Sequence, residues 1–315
     1  MISVVVPAFN EGAGIALLHS RVTAAARAWA EDYELILVDD GSRDDTLTVC
    51  RKLALEDPRF KVLSLSRNFG HQAALSAGLA HTTGDWIAIL DADLQDPPEQ
   101  LKRFIDRCKE GFDVAYAIRT KRKEGVFKRV AYFAYYRLLR KLASIEMPLD
   151  AGDFCVMSRR VVDDLNSLPE RRRYLRGLRA WIGYGQTGLE YEREARAFGE
   201  AKYTYSRLLR LAFDGIFNFS YKPLRTLMGA GIAIAFGTFL LALLVLVQYV
   251  GKITVLGYNP HQARGWTSLI LAILFLSGVQ LIGIGVLGEY VGRLFDEVKR
   301  RPIFLVKEKI NFGGS

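Results

Sequence analysis

Ile87-Ala88-Ile89-Leu90-Asp91-Ala92-Asp93-Leu94-Gln95-Asp96-Pro97-Pro98 joins an uninterrupted apolar run to three carboxylates and then to two prolines. Four apolar residues ended abruptly by polar ones are too short for a helix and read as a strand buried on both faces. Pro97 and Pro98 suit the start of a following helix, where a missing N–H costs nothing. Working outward, short β-branched runs recur at Ile2–Val6, Glu34–Val38, Lys61–Leu65, Trp86–Leu90 and Asp113–Ala117, with helical patterns between them. Such alternation predicts an α/β domain with a mostly parallel sheet and helices on both faces.

Ligands of these sheets sit beyond the carboxyl ends of the strands, and the polar residues collect there. Pro7-Ala8-Phe9-Asn10-Glu11 follows the first strand, Asp39-Asp40-Gly41-Ser42 the second and Ser66-Arg67-Asn68-Phe69-Gly70 the third. Ser42 and Asp44 read as local caps. Asp91 and Asp93 stand at i and i+2 past a buried strand, so both carboxylates face one side, and Gln95 continues it. Oxygen donors of this kind suit a divalent Mg²⁺ or Mn²⁺. Gly70 and Gln72 open a helix whose amide end favours anions.

The overall charge of +9 hides a division of labour. Residues 1–100 carry 8 basic against 15 acidic side chains, residues 101–225 carry 27 against 15, and residues 226–315 carry 8 against 4. Three well-separated cysteines, Cys50, Cys108 and Cys155, without a C-x-x-C pair, argue against both a disulfide framework and a zinc site. The apolar start lacks the basic lead of a signal peptide and reads as a strand.

Residues 226–251 and 265–288 contain no charged side chain, and each is long enough to cross a hydrocarbon core of about 30 Å as a helix. Lys222 and Arg225 precede the first stretch and Arg293, Lys299, Arg300 and Arg301 follow the second, whereas the connection holds only Lys252 and Arg264. The positive-inside rule then places both ends of the chain in the cytoplasm, giving a multi-pass protein of the inner (plasma) membrane. Gly283-Ile284-Gly285-Val286-Leu287-Gly288 has the formal spacing of a dinucleotide fingerprint but lies inside an apolar helix, where small residues serve close helix packing. Gly12-x-Gly14 lacks its third glycine, Leu17 standing there, and carries no dinucleotide role. In residues 203–219, Tyr205, Leu209, Ala212, Phe213, Ile216 and Phe219 recur at helical spacing and predict an amphipathic helix at the membrane interface. Pro302-Ile303-Phe304-Leu305-Val306 reads as an edge strand offered to a neighbouring subunit.

Val5-Val6-Pro7-Ala8-Phe9-Asn10-Glu11, Val38-Asp39-Asp40-Gly41-Ser42, Asn68 and Gly70 with Gly78, and Asp91-x-Asp93 together resemble the inverting nucleotide-sugar glycosyltransferases of the GT-A fold. Ala197-Phe198-Gly199-Glu200-Ala201-Lys202-Tyr203, followed by two apolar stretches, is similar to the polyprenyl-phosphate glycosyltransferases related to dolichyl-phosphate mannose synthase. The resemblance covers nearly the whole chain; Ala201 stands where many relatives have Ser. It implies a cytoplasmic catalytic domain over 1–202, a juxtamembrane helix over 203–224, a two-helix membrane region over 225–292 and a tail over 293–315.

The resemblance further implies a nucleotide diphosphate sugar contacted by Pro7, Ala8, Asn10, Glu11, Asp40, Gly70, Gln72, Asp91 and Ala92, with a metal on Asp91, Asp93 and Gln95. Glucose from UDP-glucose is the expected donor sugar, with GDP-mannose, UDP-galactose and modified sugars as alternatives. The acceptor implied by the resemblance is polyprenyl monophosphate, whose second pKa near 6 would make it a dianion at neutral pH and already a nucleophile. The site then needs cations that hold the phosphate, for which Arg119, Arg129, Arg196 and Lys202 are the candidates. Most of the cluster Arg171, Arg172, Arg173, Arg176 and Arg179 reads instead as a solvated face attracting anionic lipid. Asp93, Asp153, Arg119 and Arg196 are the expected catalytic set; Asp153 orients the donor, helps the metal or accepts a proton. A homo-oligomer is expected, a tetramer first, and no nucleic-acid partner. The rivals are a processive polysaccharide synthase, which needs a Q-x-x-R-W-like motif absent here, and a non-catalytic membrane scaffold, against which the intact Asp91 and Asp93 argue.

Overall fold

The structure is a computed structural model and describes residues 1–29, 31–120, 151–171, 173–192, 222–251 and 265–313. Two compact units result, Met1–Gly215 with Arg300–Ser315, and Ile216–Lys299.

In the first unit, β1 (Ile2–Ala8), β2 (Tyr33–Asp39), β3 (Phe60–Leu65), β4 (Trp86–Ile89), β5 (Val114–Thr120), β6 (Ala151–Ser158), β7 (Gln186–Glu192) and β8 (Val306–Ile310) form one sheet in the order β7-β5-β6-β4-β1-β2-β3-β8. The pairs β1–β2, β1–β4, β2–β3 and β5–β7 are parallel, whereas β6 and β8 run against their neighbours. The five expected strands are present to within a few residues. β1 and β2 are buried along their whole length, the consequence of largely apolar strands covered on both faces. One face packs under α1 (Gly12–Ala26), α2 (Thr46–Glu56) and α4 (Leu101–Lys109), where Ile15, Leu18 and Phe104 meet Val4, Val6 and Leu37. The other receives α3 (His71–Leu79), whose Ala74 and Ala77 lie on Ile36, Val38 and Leu63. Small residues let this helix sit close: a Cβ on Gly78 would meet a Val5 methyl carbon at 2.3 Å. The helices α5 (Arg159–Ser167) and α6 (Leu175–Ile182) follow β6 and pack on each other. Cys50, Cys108 and Cys155 are free and buried.

Two expectations are corrected here. The tail serves its own chain: β8 covers the open edge of β3 with the register Val62↔Ile310, Leu63↔Lys309 and Ser64↔Glu308. A strand tethered to its own sheet enjoys a high effective concentration, so it fills that edge before a second copy can. Phe304, Val306 and Phe312 pack on the Leu63 side, and Arg51 pairs with Glu308 at 2.6 Å. Two members of the arginine cluster, Arg173 and Arg179, do not lie on a solvated face. Arg173 is buried, with Nη2 donating to the carbonyls of Leu165 and Leu168, and Arg179 is buried with its guanidinium over the Tyr116 ring. Their flanking Leu175 and Leu178 turn α6 onto the sheet and carry the arginines inward.

Asn311 fastens the tail. At φ 61° its amide nitrogen donates to Ala54 O at 2.6 Å and to Phe60 O at 2.9 Å. Asn311→Ala removes these bonds, with a longer one to Asp57 O at 3.3 Å, and leaves a residue that tolerates this backbone less well, costing about 1–2 kcal/mol of local stability. Amide exchange across Val306–Ile310 should accelerate about tenfold while β1 is unaffected; equal exchange in variant and wild type would refute the fastening role.

The second unit holds α7 (Lys222–Gly251) and α8 (Trp266–Val298). Both are long and apolar enough to cross a membrane, over Leu224–Leu241 and Phe275–Val298. Phe236, Phe239, Leu281, Ile282 and Ile284 are exposed, which water disfavours and lipid accepts. The Leu227 side chain approaches Gly283, so the small residue of the discarded fingerprint lies at a helix contact. The amphipathic helix expected over 203–219 lies outside the described residues.

Candidate active site

The carboxyl ends of β1, β2, β3 and β4 carry the site. After β1, Asn10 adopts φ 57° and ties two loops together: its N–H donates to Ser42 Oγ at 3.0 Å, and its Oδ1 accepts from Arg43 N at 2.8 Å. Glu11 N donates to Thr46 Oγ1 and Gly12 N to Asp44 Oδ2, so Ser42 and Asp44 have the local bracing role expected of them. Pro7 and Ala8 are buried inside β1 itself.

Asp39 and Asp40 separate because successive strand side chains face opposite ways. Asp39 shares the face of Leu35 and Leu37; its Oδ1 accepts from Ser42 N at 3.0 Å and its Oδ2 from Ser64 Oγ at 3.1 Å. Asp40 takes the other side and accepts the amides of Phe69 and Gly70 at 2.7 and 2.9 Å. Burial raises the Asp40 carboxyl above its ordinary value, and the two amides only partly offset this. Gly70, at φ 99°, makes the turn that presents those amides and starts α3. A cavity of about 320 Å³ opens beside Asp39, walled by Phe9, Arg43, Arg67, Asn68 and Lys307. Gly41 is required there, since a Cβ would stand 2.6 Å from the Arg67 carbonyl carbon. Asp39 lines this cavity, while Asp40, which the resemblance places at the nucleoside, lies on the other side with the Phe69 and Gly70 amides.

Asp91, Asp93 and Gln95 lie in the loop after β4. Leu94 anchors this loop with a buried side chain and a left-handed backbone at φ 57°, a conformation that costs about 1 kcal/mol and fixes the neighbouring side chains outward. Gln95 N donates to Asp93 Oδ1 at 3.2 Å. Asp96 turns inward to Tyr191 Oη on β7. β4 and β6 pair at Ile89↔Cys155 in antiparallel sense, so Asp91 and Asp153 stand two residues beyond that pair on adjacent strands.

Two residues that sequence reasoning missed complete the cluster. Arg176, near the start of α6, forks onto Asp153, with Nε at 2.6 Å from Oδ1 and Nη2 at 3.0 Å from Oδ2. His71, the first residue of α3, has Nε2 at 3.4 Å from Asp153 and 3.9 Å from Asp91. Gln72 Oε1 accepts from Leu175 N at 2.9 Å and thereby holds the start of α6 against α3.

Electrostatics divides the acids. Burial pushes the Asp91 carboxyl up to about 6, His71 works against the rise, and Asp96, Asp153 and Asp93 add to it by repulsion. Burial acts on Asp153 in the same direction, but the Arg176 guanidinium and His71 outweigh it and hold Asp153 well below the usual carboxylate range. His71 is itself raised: burial favours its neutral form, and Asp153 and Asp91 overcome that. The arrangement presents one firmly ionised, positioned carboxylate and one that gains from a cation. Arg129, Arg196 and Lys202 lie outside the described residues, as does the side chain of Arg119, whose backbone belongs to β5.

Residues 3–165 match the family model described as glycosyl transferase family 2. An uncharacterized glycosyltransferase of Bacillus subtilis (strain 168), YkcC, is 42% identical over 97% of this chain and 93% of its own length. The bactoprenol glucosyl transferase of Shigella phage SfX is 40% identical, covering 98% of this chain and 99% of its own. Among solved structures, glucosyl-3-phosphoglycerate synthase from Mycobacterium tuberculosis, in a complex with Mn²⁺, UDP and phosphoglyceric acid, superposes with a TM-score of 0.50 at 23% identity, covering 69% of this chain and 76% of that one. That likeness bears on the fold, a GT-A sheet. Matched over more than half its length by the family model and aligned almost end to end with named glycosyltransferases, the chain belongs to glycosyl transferase family 2.

Proposed function

We propose that this protein transfers glucose from UDP-glucose to polyprenyl monophosphate at the cytoplasmic face of the plasma membrane, inverting the anomeric centre. The observation that carries this reading is the meeting of Asp91, Asp153, His71 and Arg176 in one cluster beyond the carboxyl end of β4. The lipid acceptor and the sugar follow the named bactoprenol glucosyl transferase, which aligns over 98% of this chain. The two apolar helices give a lipid-borne acceptor a place to dwell, and the basic residues that flank them support cytoplasmic ends.

A divalent cation fits the donor set. Among the described residues no three His, Cys, Asp or Glu side chains form a complete protein cage. Mg²⁺ and Mn²⁺ at diphosphate sites are commonly held by one or two carboxylates, the remaining positions going to phosphate oxygens and water. Asp91 and Asp93, with Gln95 beside them, would hold the ion, and when bound it acts as a Lewis acid that neutralises charge on the departing diphosphate. Asp153, fixed by Arg176 and His71, orients the sugar. No side chain need take a proton, because the acceptor phosphate is already ionised. Arg119, Arg129, Arg196 and Lys202 are proposed to position that phosphate.

The test is transfer by purified full-length protein in detergent, given undecaprenyl phosphate, Mn²⁺ and labelled UDP-glucose, UDP-galactose or GDP-mannose in parallel. Organic-extractable label with UDP-glucose is expected. Label only from GDP-mannose would replace the donor, and no label with any donor would remove the reading.

A further inference from the structure

Asp153 is held by side chains from two helices that are far apart in the chain: His71 opens α3, and Arg176 is the second residue of α6. The two-pronged contact, at 2.6 and 3.0 Å, forms only when the guanidinium and the carboxylate meet in one plane, so it depends closely on where α6 begins. Yet α6 brings no side-chain cap of its own. The first N–H groups of a helix have no acceptor inside it. The Tyr174 carbonyl accepts from Gly177 N and Leu178 N at 2.9 and 3.0 Å and closes the first turn, which leaves the N–H of Leu175 to be satisfied from outside.

Gln72 supplies that acceptor from 103 residues away, its Oε1 lying 2.9 Å from Leu175 N. A backbone N–H can only donate, so the carbonyl end of the Gln72 amide is the end that faces α6. Gln72 is itself fixed within α3: Gly70, at φ 99°, starts the helix, and Ser76 Oγ donates to Gln72 O at 2.8 Å. One residue is thus the chain neighbour of His71 and is bonded to the chain neighbour of Arg176, the two groups that meet at Asp153. A second tie joins α3 to the helices after β6, but at its other end: Asn166 Nδ2 on α5 donates to Leu79 O at 3.3 Å. Leu79 closes α3, about 12 Å along the helix from His71.

We infer that Gln72 is a positioning residue for sugar transfer: by tying α3 to the start of α6 it sets the angle at which Arg176 forks onto Asp153, and so the direction in which that carboxylate faces the sugar. The inference rests on the role proposed above for Asp153 and deepens it. It differs from the donor contact that the resemblance implies for Gln72, and the two lead to different kinetics. A residue that touches the donor acts on donor affinity; one that acts through Arg176 and Asp153 acts on turnover.

Steady-state kinetics of the full-length protein in detergent, with UDP-glucose and undecaprenyl phosphate, test this. Gln72→Met keeps the length of the side chain and loses the acceptor; it should lower kcat about three- to tenfold and leave the donor KM within about twofold. Combined with Arg176→Lys, it should add less than about twofold to the loss caused by Arg176→Lys alone, because the fork it positions is already gone. Asn166→Ala, which cuts the tie at the far end of α3, should keep kcat within about twofold. Wild-type kcat in Gln72→Met, a raised donor KM at unchanged kcat, losses that multiply in the double variant, or an equal loss in Asn166→Ala would each overturn the inference alone. Wild-type kcat in Asp153→Asn would remove the reading of Asp153 beneath it, and a wild-type protein that transfers no sugar would remove the proposed function itself.

Discussion

Asp91→Asn and Asp93→Asn are each expected to lower sugar transfer by about 10³-fold, and the acid limb of the wild-type reaction should move with metal concentration. Burial and the repulsion of Asp96, Asp153 and Asp93 hold the Asp91 carboxyl at about 6. Between the ordinary carboxylate range and that value, the folded chain retains a proton that the unfolded chain has released. The stability of the ligand-free protein therefore falls as the pH rises through this window. Asp91→Asn removes the penalty, so the ligand-free variant should melt above the wild type at pH 7, and the gap should shrink toward pH 5. The catalytic effect has the opposite sign. Proton and cation compete for the same carboxylate, so each tenfold increase of Mn²⁺ above its dissociation constant should shift the acid midpoint down by about one pH unit. A midpoint insensitive to metal, or transfer by Asp93→Asn that persists in chelator, would sink the assignment of these two acids.

This site was readable from the sequence where its residues follow a buried strand, and unreadable where tertiary folding supplied the partner. Asp91 and Asp93 declared themselves because Ile87-Ala88-Ile89-Leu90 has no other reading than a buried strand. The first strands are rich in β-branched and other apolar residues, which propensity and burial both favour. β7, Gln186–Glu192, is largely half-exposed and has little apolar alternation. β8, Val306–Ile310, alternates with lysine and glutamate, the composition of a protected edge. Neither announces itself locally. Asp153 stood out only through the resemblance. His71 and Arg176 had no signal at all, because their meaning is a fork and a ring nitrogen brought to Asp153 by α3 and α6. A run of arginines is ordinarily a solvated surface; here the apolar residues interleaved with it turned Arg173 and Arg179 inward.

Asp153→Asn is expected to lower kcat by about 10²- to 10³-fold, with the same factor at every pH from 6.5 to 9 and little change in donor KM. The Arg176 fork at 2.6 and 3.0 Å and the His71 ring at 3.4 Å favour the carboxylate over its acid, and its affinity for a proton is correspondingly low. A group so weakly basic gains little by abstracting a proton, and the acceptor phosphate above pH 6.5 has none that must be removed before attack. What the carboxylate offers is a fixed negative charge and a fixed direction. The linkage has the usual sign for a depressed acid: its stabilising contribution is complete above the unfolded value and is lost only as the pH falls below it, outside the assay range. Arg176→Lys separates charge from geometry, because an ammonium group keeps the charge but cannot make the two-pronged contact. That variant should keep donor affinity, lose about tenfold in kcat and show the same flat pH profile. Recovery of Asp153→Asn toward wild-type turnover at pH 9 would mean that hydroxide replaces a missing base, and Asp153 would then be a proton acceptor rather than a positioning group.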